Sequence, residues 1–438
     1  MQIIYKAPAP ALVQPARLDP FLSQKLRFWS LVAMLLLVYV HAYNLHSRYL
    51  QPFTPVDEPL AVGTFLQYFL ANGLLRFRIP ILFAISGYLF AHHDAGTPHR
   101  ERAKRRLRTL LLPYLLWSLL GLAFTWALEQ HPYTRQLVLS ASLSIFGPEN
   151  PFVSGYSPGQ LLLRWLLLPV PFQLWFLRSL LVMNLAYPWL RAAIDRLPGF
   201  YFTVAGLFWL SESSLPRTGL MLLGVGAWLW LRTTGHRAAR WQWLGGLVIV
   251  SGGLIYLAAT TRLLWVVEPA LGPLMEGSGL LFFGLGVWLR RRGAEVLLQP
   301  RWFHLGLFAA LWLALLTLKT WLAFYFEQPP FIPMLLLHKA AELLGVLVMW
   351  FGSNAVVRAA MRRRWFVWLT GFSFIIYALH VPLVNYATEA VLGRWPQQLL
   401  LTFLLLPLVV VALAVLLGAL LRRAAPAAYG VLTGGRGL

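Results

Sequence analysis

Long apolar runs separated by short basic or polar stretches dominate the chain. Runs of about twenty residues, enough to cross a bilayer core as a helix, recur from one end to the other. They are continuous and Leu-rich rather than alternating at every second position, so the expected spanning element is a helix and not the strand of a closed barrel. Spans are predicted at 28–46, 74–92, 108–129, 173–191, 199–211, 218–232, 243–261, 273–290, 303–325, 333–356, 367–388 and 398–421. Of these, 199–211 and 218–232 are short for a bilayer, and 60–73 offers an additional helix lying at the interface or crossing partway. The predicted fold class is all-α: a polytopic transmembrane helix bundle of about 10–12 spans.

Composition agrees with that pattern, since 59% of the 438 residues are hydrophobic and only 12% charged. A net charge of +22 would point to nucleic acid in a soluble chain, but here it orients the bundle. With the N-terminus inside, most of the 37 Lys and Arg fall in the inner segments, among them "RERAKRRLR" (100–108), "RRR" (290–292) and "RRR" (362–364). The acids sort the other way: Asp57, Glu58, Glu129, Glu149, Glu212, Glu268, Glu276, Glu327 and Glu389 all fall outside. Residues 1–27 then form a cytoplasmic tail, 28–421 a membrane domain and 422–438 a second cytoplasmic tail. The absence of cysteine excludes disulfides, thiolate metal sites and cysteine nucleophiles. His92, His93 and His99 have no nearby carboxylate or Cys to complete a metal site, so no metal is expected.

"TGLMLLGVGAWLWLR" (218–232) aligns with "SGLLFFGLGVWLRRR" (278–292) at an offset of sixty, with seven identities in fifteen. The favoured reading is a tandem two-helix repeat over 218–260 and 278–320; chance likeness of Gly-rich membrane helices is the alternative.

Ionisable groups inside spans are costly and face the bundle interior, so their depth is informative. His41, Arg76, Arg78, Arg178, Lys319, His338, Lys339, Glu342 and His380 all fall toward the outer ends of their spans. Together they predict a cationic cavity open toward the outer leaflet and suited to an anionic ligand or transition state. Singly, each also reads as an interfacial anchor or snorkelling side chain, and Glu342 as a neutralising partner of Lys339 or His338.

"FWSLVAMLLLVYVHAYN", "RFRIPILFAISGYLF", "RRLRTLLLPYLLWS", "PFQLWFLRSLLVMNLAYP", "GLLFFGLGVWL" and "LTGFSFIIYALHVPL" run in order over residues 28–384. In sequence and spacing they resemble the membrane-bound acyltransferase-3 family, enzymes that carry acyl groups from a cytoplasmic acyl-CoA to a hydroxyl of an extracytoplasmic carbohydrate. The resemblance implies that His41 is the catalytic base and that Arg76 and Arg78 are the family's Arg-x-Arg pair. In the family a basic residue stands eleven positions before the histidine; here that position is Ser30, with Arg27 one helical turn earlier on nearly the same face. Arg27, Ser30, Ser86, Trp175, Arg178, Glu342, Tyr377 and His380 complete the candidate substrate-binding set. For Ser86-Gly87 helix packing is the first reading and substrate contact the second.

The implied reaction is O-acyl transfer, acetyl first among the acyl groups, to an envelope glycan or glycolipid at a bacterial cytoplasmic (inner) membrane. Acyl-CoA enters as a donor substrate and no cofactor is held permanently. Membrane lipid is the surrounding partner, nucleic acid is not a partner, and the oligomeric state is left open. The roles that compete are a transporter or flippase with a midplane cationic cavity and a lipid-linked sugar glycosyltransferase using Asp57-Glu58.

Overall fold

The computed structural model describes residues 18–45, 56–93, 98–146, 152–212, 214–232, 238–261, 277–327 and 331–437. Most of the N-terminal tail, together with Glu149, Glu268 and Glu276, lies outside them. Among the described residues all regular structure is helical. Eight helical segments are long and apolar enough to cross a membrane: Pro20–His41, Val62–His92, Arg100–Leu128, Trp241–Thr260, Leu305–Tyr325, Phe331–Gly352, Ser373–Arg394 and Leu399–Ala424. Three shorter apolar helices, Phe172–Leu185, Pro198–Leu210 and Leu215–Leu231, and the helix Gly277–Arg291 stand at the remaining predicted positions. The chain is a multi-pass, all-α membrane bundle.

Two boundaries differ from expectation. The first helix begins at Pro20, eight residues before the predicted start, because Asp19 caps it through Leu22 N–H at 2.8 Å and proline suits the first helical turn. It stops at His41 rather than 46. The stretch near 60–73 forms helix Val62–Ala71, which runs on through a break into the second span, as the crossing-partway reading has it.

The first helix is the hub, packing on Arg78–His92, Ser373–Arg394, Leu399–Ala424 and Asn354–Met361. Glycine sets the tightest of the neighbouring contacts. A Cβ on Gly87 would lie 2.0 Å from Phe283 O, and one on Gly286 2.1 Å from Ala84 O, so Arg78–His92 and Gly277–Arg291 touch backbone to backbone. Gly226, sixty positions before Gly286, instead presses Leu215–Arg232 onto Ala238–Thr260, and Gly219 does the same two turns earlier. The same spacing therefore serves two different partners. Ser86, beside Gly87, is half-buried.

A broken span and a histidine pair form the candidate active site

The second span breaks where its two arginines lie. Helix Val62–Ala71 ends, a single 3-10 turn spans Leu74–Phe77, and a new helix starts at Arg78. Gly73 permits the break, since a Cβ there would stand 2.5 Å from Phe69 O. Breaking a helix strips its last carbonyls of partners, which inside a membrane must be satisfied by protein. Arg76 Nε donates to Ala71 O at 3.0 Å and its Nη2 to Asn72 Oδ1. Lys319 Nζ, from Leu305–Tyr325, donates to Asn72 O. Both cations thus close the C-terminus of a half-helix, where its dipole favours positive charge. Ten residues of helix rise about 15 Å, so the arginines lie within the bundle and not at its mouth.

Arg78 is buried, at 4% exposure, and differently placed. Its Nη1 donates to Leu75 O at 2.8 Å while its Nε has no partner in the protein. Between the two arginines Phe77 anchors the turn edge-on against Trp29 and Trp312, with ring centroids 5.7 and 5.9 Å away.

Two histidines from distant spans meet beside Arg78. The His41 and His380 rings lie 5.3 Å apart between centroids, and His41 also meets Phe172 edge-on at 5.3 Å. The charges acting on His41 are those of His380, Arg78 and Arg76. His380 is wholly buried; its Nδ1 lies 2.8 Å from Tyr377 O and 3.2 Å from Ile376 O, whereas Nε2 has no partner. Carbonyl oxygens only accept, so the neutral ring carries its proton on Nδ1 and a lone pair on Nε2.

A proline two residues beyond His380 fixes this region. Pro382 lacks an N–H and leaves Ala378 O without its helical donor. Gln173 Nε2 supplies the bond at 2.9 Å, and Tyr377 OH donates to Gln173 O at 2.7 Å. The 3-10 turn Phe172–Leu174 is thereby tied to the helix that carries His380.

A second polar group adjoins on the Arg76 side. Lys319 Nζ stands 3.4 Å from His338 Nδ1. Lys339 Nζ pairs with Glu212 at 2.5 Å and lies 3.8 Å from Glu342, which also accepts from Trp209 Nε1 at 2.9 Å. Glu212 therefore turns into the bundle instead of remaining an outer-loop acid, and it does so with a positive φ of 53°, a strained geometry for a side-chain-bearing residue. The carboxylates acting on Arg76 are Glu212 and Glu342. Four basic side chains, Arg76, Arg78, Lys319 and Lys339, stand here against those two acids.

The predicted set divides accordingly. His41, Arg78, Tyr377 and His380 come together; Arg76 and Glu342 belong to the adjoining group. Trp175 packs instead on Phe83 and Phe176, with ring centroids 6.2 and 6.0 Å away. Arg178 turns toward Tyr114, with Nε and Nη1 buried and without a protein partner. Arg27 and Ser30 share no chamber with His41: eleven to fourteen helical residues separate them, roughly 16–21 Å. Arg27 bonds Thr370 Oγ1 at 3.1 Å, and Ser30 Oγ bonds its own helix at Leu26 O at 2.8 Å. The buried cation at that end is Lys25 instead, bonded to Asn354 Oδ1 at 2.7 Å.

Sequence reasoning passed over Gln173, Asn72, Trp209 and Lys25. Gln173 had a signal: it is a lone amide in an apolar run, and the proline after "ALH" announces a carbonyl in need of a donor.

Residues 31–422 match the sequence profile of the acyltransferase-3 family, described as an acyltransferase domain. Over 194 residues the chain is 28% identical to the succinoglycan biosynthesis protein ExoH of Rhizobium meliloti (strain 1021), a match covering 41% of this chain and 45% of that protein. The matched region thus spans less than half the length of this curated relative. No solved structure matches the chain. With most of its length inside the family's domain, the chain belongs to the acyltransferase-3 family of membrane acyltransferases.

Proposed function

We propose that the chain moves an acyl group, most simply acetyl, from acyl-CoA to a hydroxyl of an extracytoplasmic cell-envelope carbohydrate at a bacterial inner membrane. The observation that carries this reading is the His41–His380 pair beside the unpartnered Nε–H of Arg78. His41 takes the proton as the acceptor hydroxyl attacks the thioester carbon. The carbon–sulfur bond then breaks and the thiolate leaves as CoA, recovering a proton from the imidazolium. Nε2 of His380 can accept from the His41 ring and so turn its other nitrogen toward the substrate, as a third group orients the base in other acyl-transfer sites. Arg78 offers its free N–H to the oxyanion that develops. The name of the succinoglycan relative supports a polysaccharide acceptor.

The test is incubation of purified protein in nanodiscs with acetyl-CoA labelled in the acetyl group and an envelope glycan fraction. Label should pass to glycan with equimolar release of CoA. A transporter would release none.

A further inference from the structure

We infer that the donor's phosphates are held at the opposite, basic end of the bundle, beside the short helix Asn354–Met361, and that its thin arm rises through an apolar slot toward Arg78. The inference rests on the acyl-CoA reading above and assigns that donor a binding site.

Three cavities meet at this end. The first, about 570 Å³, is lined by Asp19, Gln24, Asn354, Arg358 and Arg362 among others. A second, about 320 Å³, shares Asp19 and Leu298 with it and adds Arg290. The third, about 280 Å³, shares Leu298 with both and Glu295 with the second, and is otherwise a mostly apolar slot between the first helix, Arg78–His92, Gly277–Arg291 and Phe331–Gly352. Its wall reaches Ile81, one turn along the helix from Arg78. Lys25 stands where recess and slot join: its Nζ holds Asn354 Oδ1, a recess residue, and lies 4.4 Å above the ring of Trp350, a slot residue.

This sequence of chemistries matches one kind of ligand: a multiply charged phosphate head followed by a slender, largely uncharged arm. Solvent-open arginines bind multi-oxygen anions without the cost of removing several charges from water. The chamber around Arg76 cannot do so cheaply, because it is enclosed and its guanidinium is already committed to Ala71 O and Asn72. Phosphates at the recess and the thioester at Arg78 divide the donor along its natural polarity.

The experiment compares the full-length parent with Arg358→Gln/Arg362→Gln in nanodiscs of neutral lipid, using acetyl-CoA and acetyl-pantetheine, which lacks the phosphate head. The variant should raise KM for acetyl-CoA roughly tenfold or more, keep kcat within about twofold, and leave acetyl-pantetheine turnover unchanged. Equal effects on both donors, or none, would overturn the inference; so would an effect that appears only with anionic lipid, which would make the recess a headgroup site. Equilibrium binding of radiolabelled CoA to parent and variant needs no turnover. If the parent binds CoA in an Arg358/Arg362-dependent way yet transfers nothing, the site stands and acyl transfer falls; if CoA does not bind, the site falls.

Discussion

His41 and His380 stand 339 positions apart in sequence, yet their rings lie 5.3 Å apart between centroids, one closing the first helix and the other buried in the helix Ser373–Arg394. In the proposed mechanism the two act as a unit, one as base and the other orienting it. His41→Ala and His380→Ala should each lower kcat by about 10²–10⁴, and the double variant should be little worse than the weaker single one. CoA release under saturating donor measures all three. Multiplying losses would mean that the two imidazoles act independently.

The two arginines should separate when each becomes lysine. Arg78→Lys removes the free Nε–H of a planar fork and should cost about 10²-fold in kcat with little change in stability. Arg76→Lys loses the paired bonds to Ala71 O and Asn72, so its main effect should be a loss of about 1–3 kcal/mol in stability. Thermal unfolding in detergent, read beside turnover, distinguishes them.

Gln173→Leu should destabilise by about 1–3 kcal/mol, because it leaves Ala378 O bare inside the bundle. Adding Pro382→Ala restores a backbone N–H four residues on. The double variant should then recover most of the lost stability, an outcome expected only if the carbonyl is what Gln173 serves.

Gly87→Ala places a methyl against Phe283 O and should cost about 1–3 kcal/mol. Gly224→Ala, whose Cβ would meet nothing within 4 Å, should be neutral. Measured side by side in thermal melts, the pair tests whether close helix contact, and not glycine as such, makes a position intolerant of a methyl group.

Much of this arrangement was legible in the amino-acid order because a membrane makes polarity expensive. Every span read from an apolar run holds a helix, whereas Pro132–Phe146 and Pro158–Leu166 fell between the predicted spans; Arg78, His41 and His380 stood out as charges and imidazoles at one depth. What escaped had a different origin. The break at Gly73 looked like a boundary between an interfacial helix and a span, because hydropathy averages across a turn of a few residues. At the Ser30 end of the first helix Arg27 faces outward to Thr370, and the buried cation is Lys25, whose position in the run gave no signal. Gln173 carries no charge, and its importance emerges only once Pro382 is known to face it.

The broken span also has a history within each molecule. Its buried Asn72 carbonyl, freed by the break, is satisfied by Lys319, which the ribosome adds 247 residues later. Until Leu305–Tyr325 enters the bilayer, the half-helix Val62–Ala71 has an unfinished end, and water or lipid headgroups must serve it in the meantime. The second span thus precedes its own partner in the order of synthesis, and the helix that completes the end of Val62–Ala71 follows only after more than half of the chain has been made.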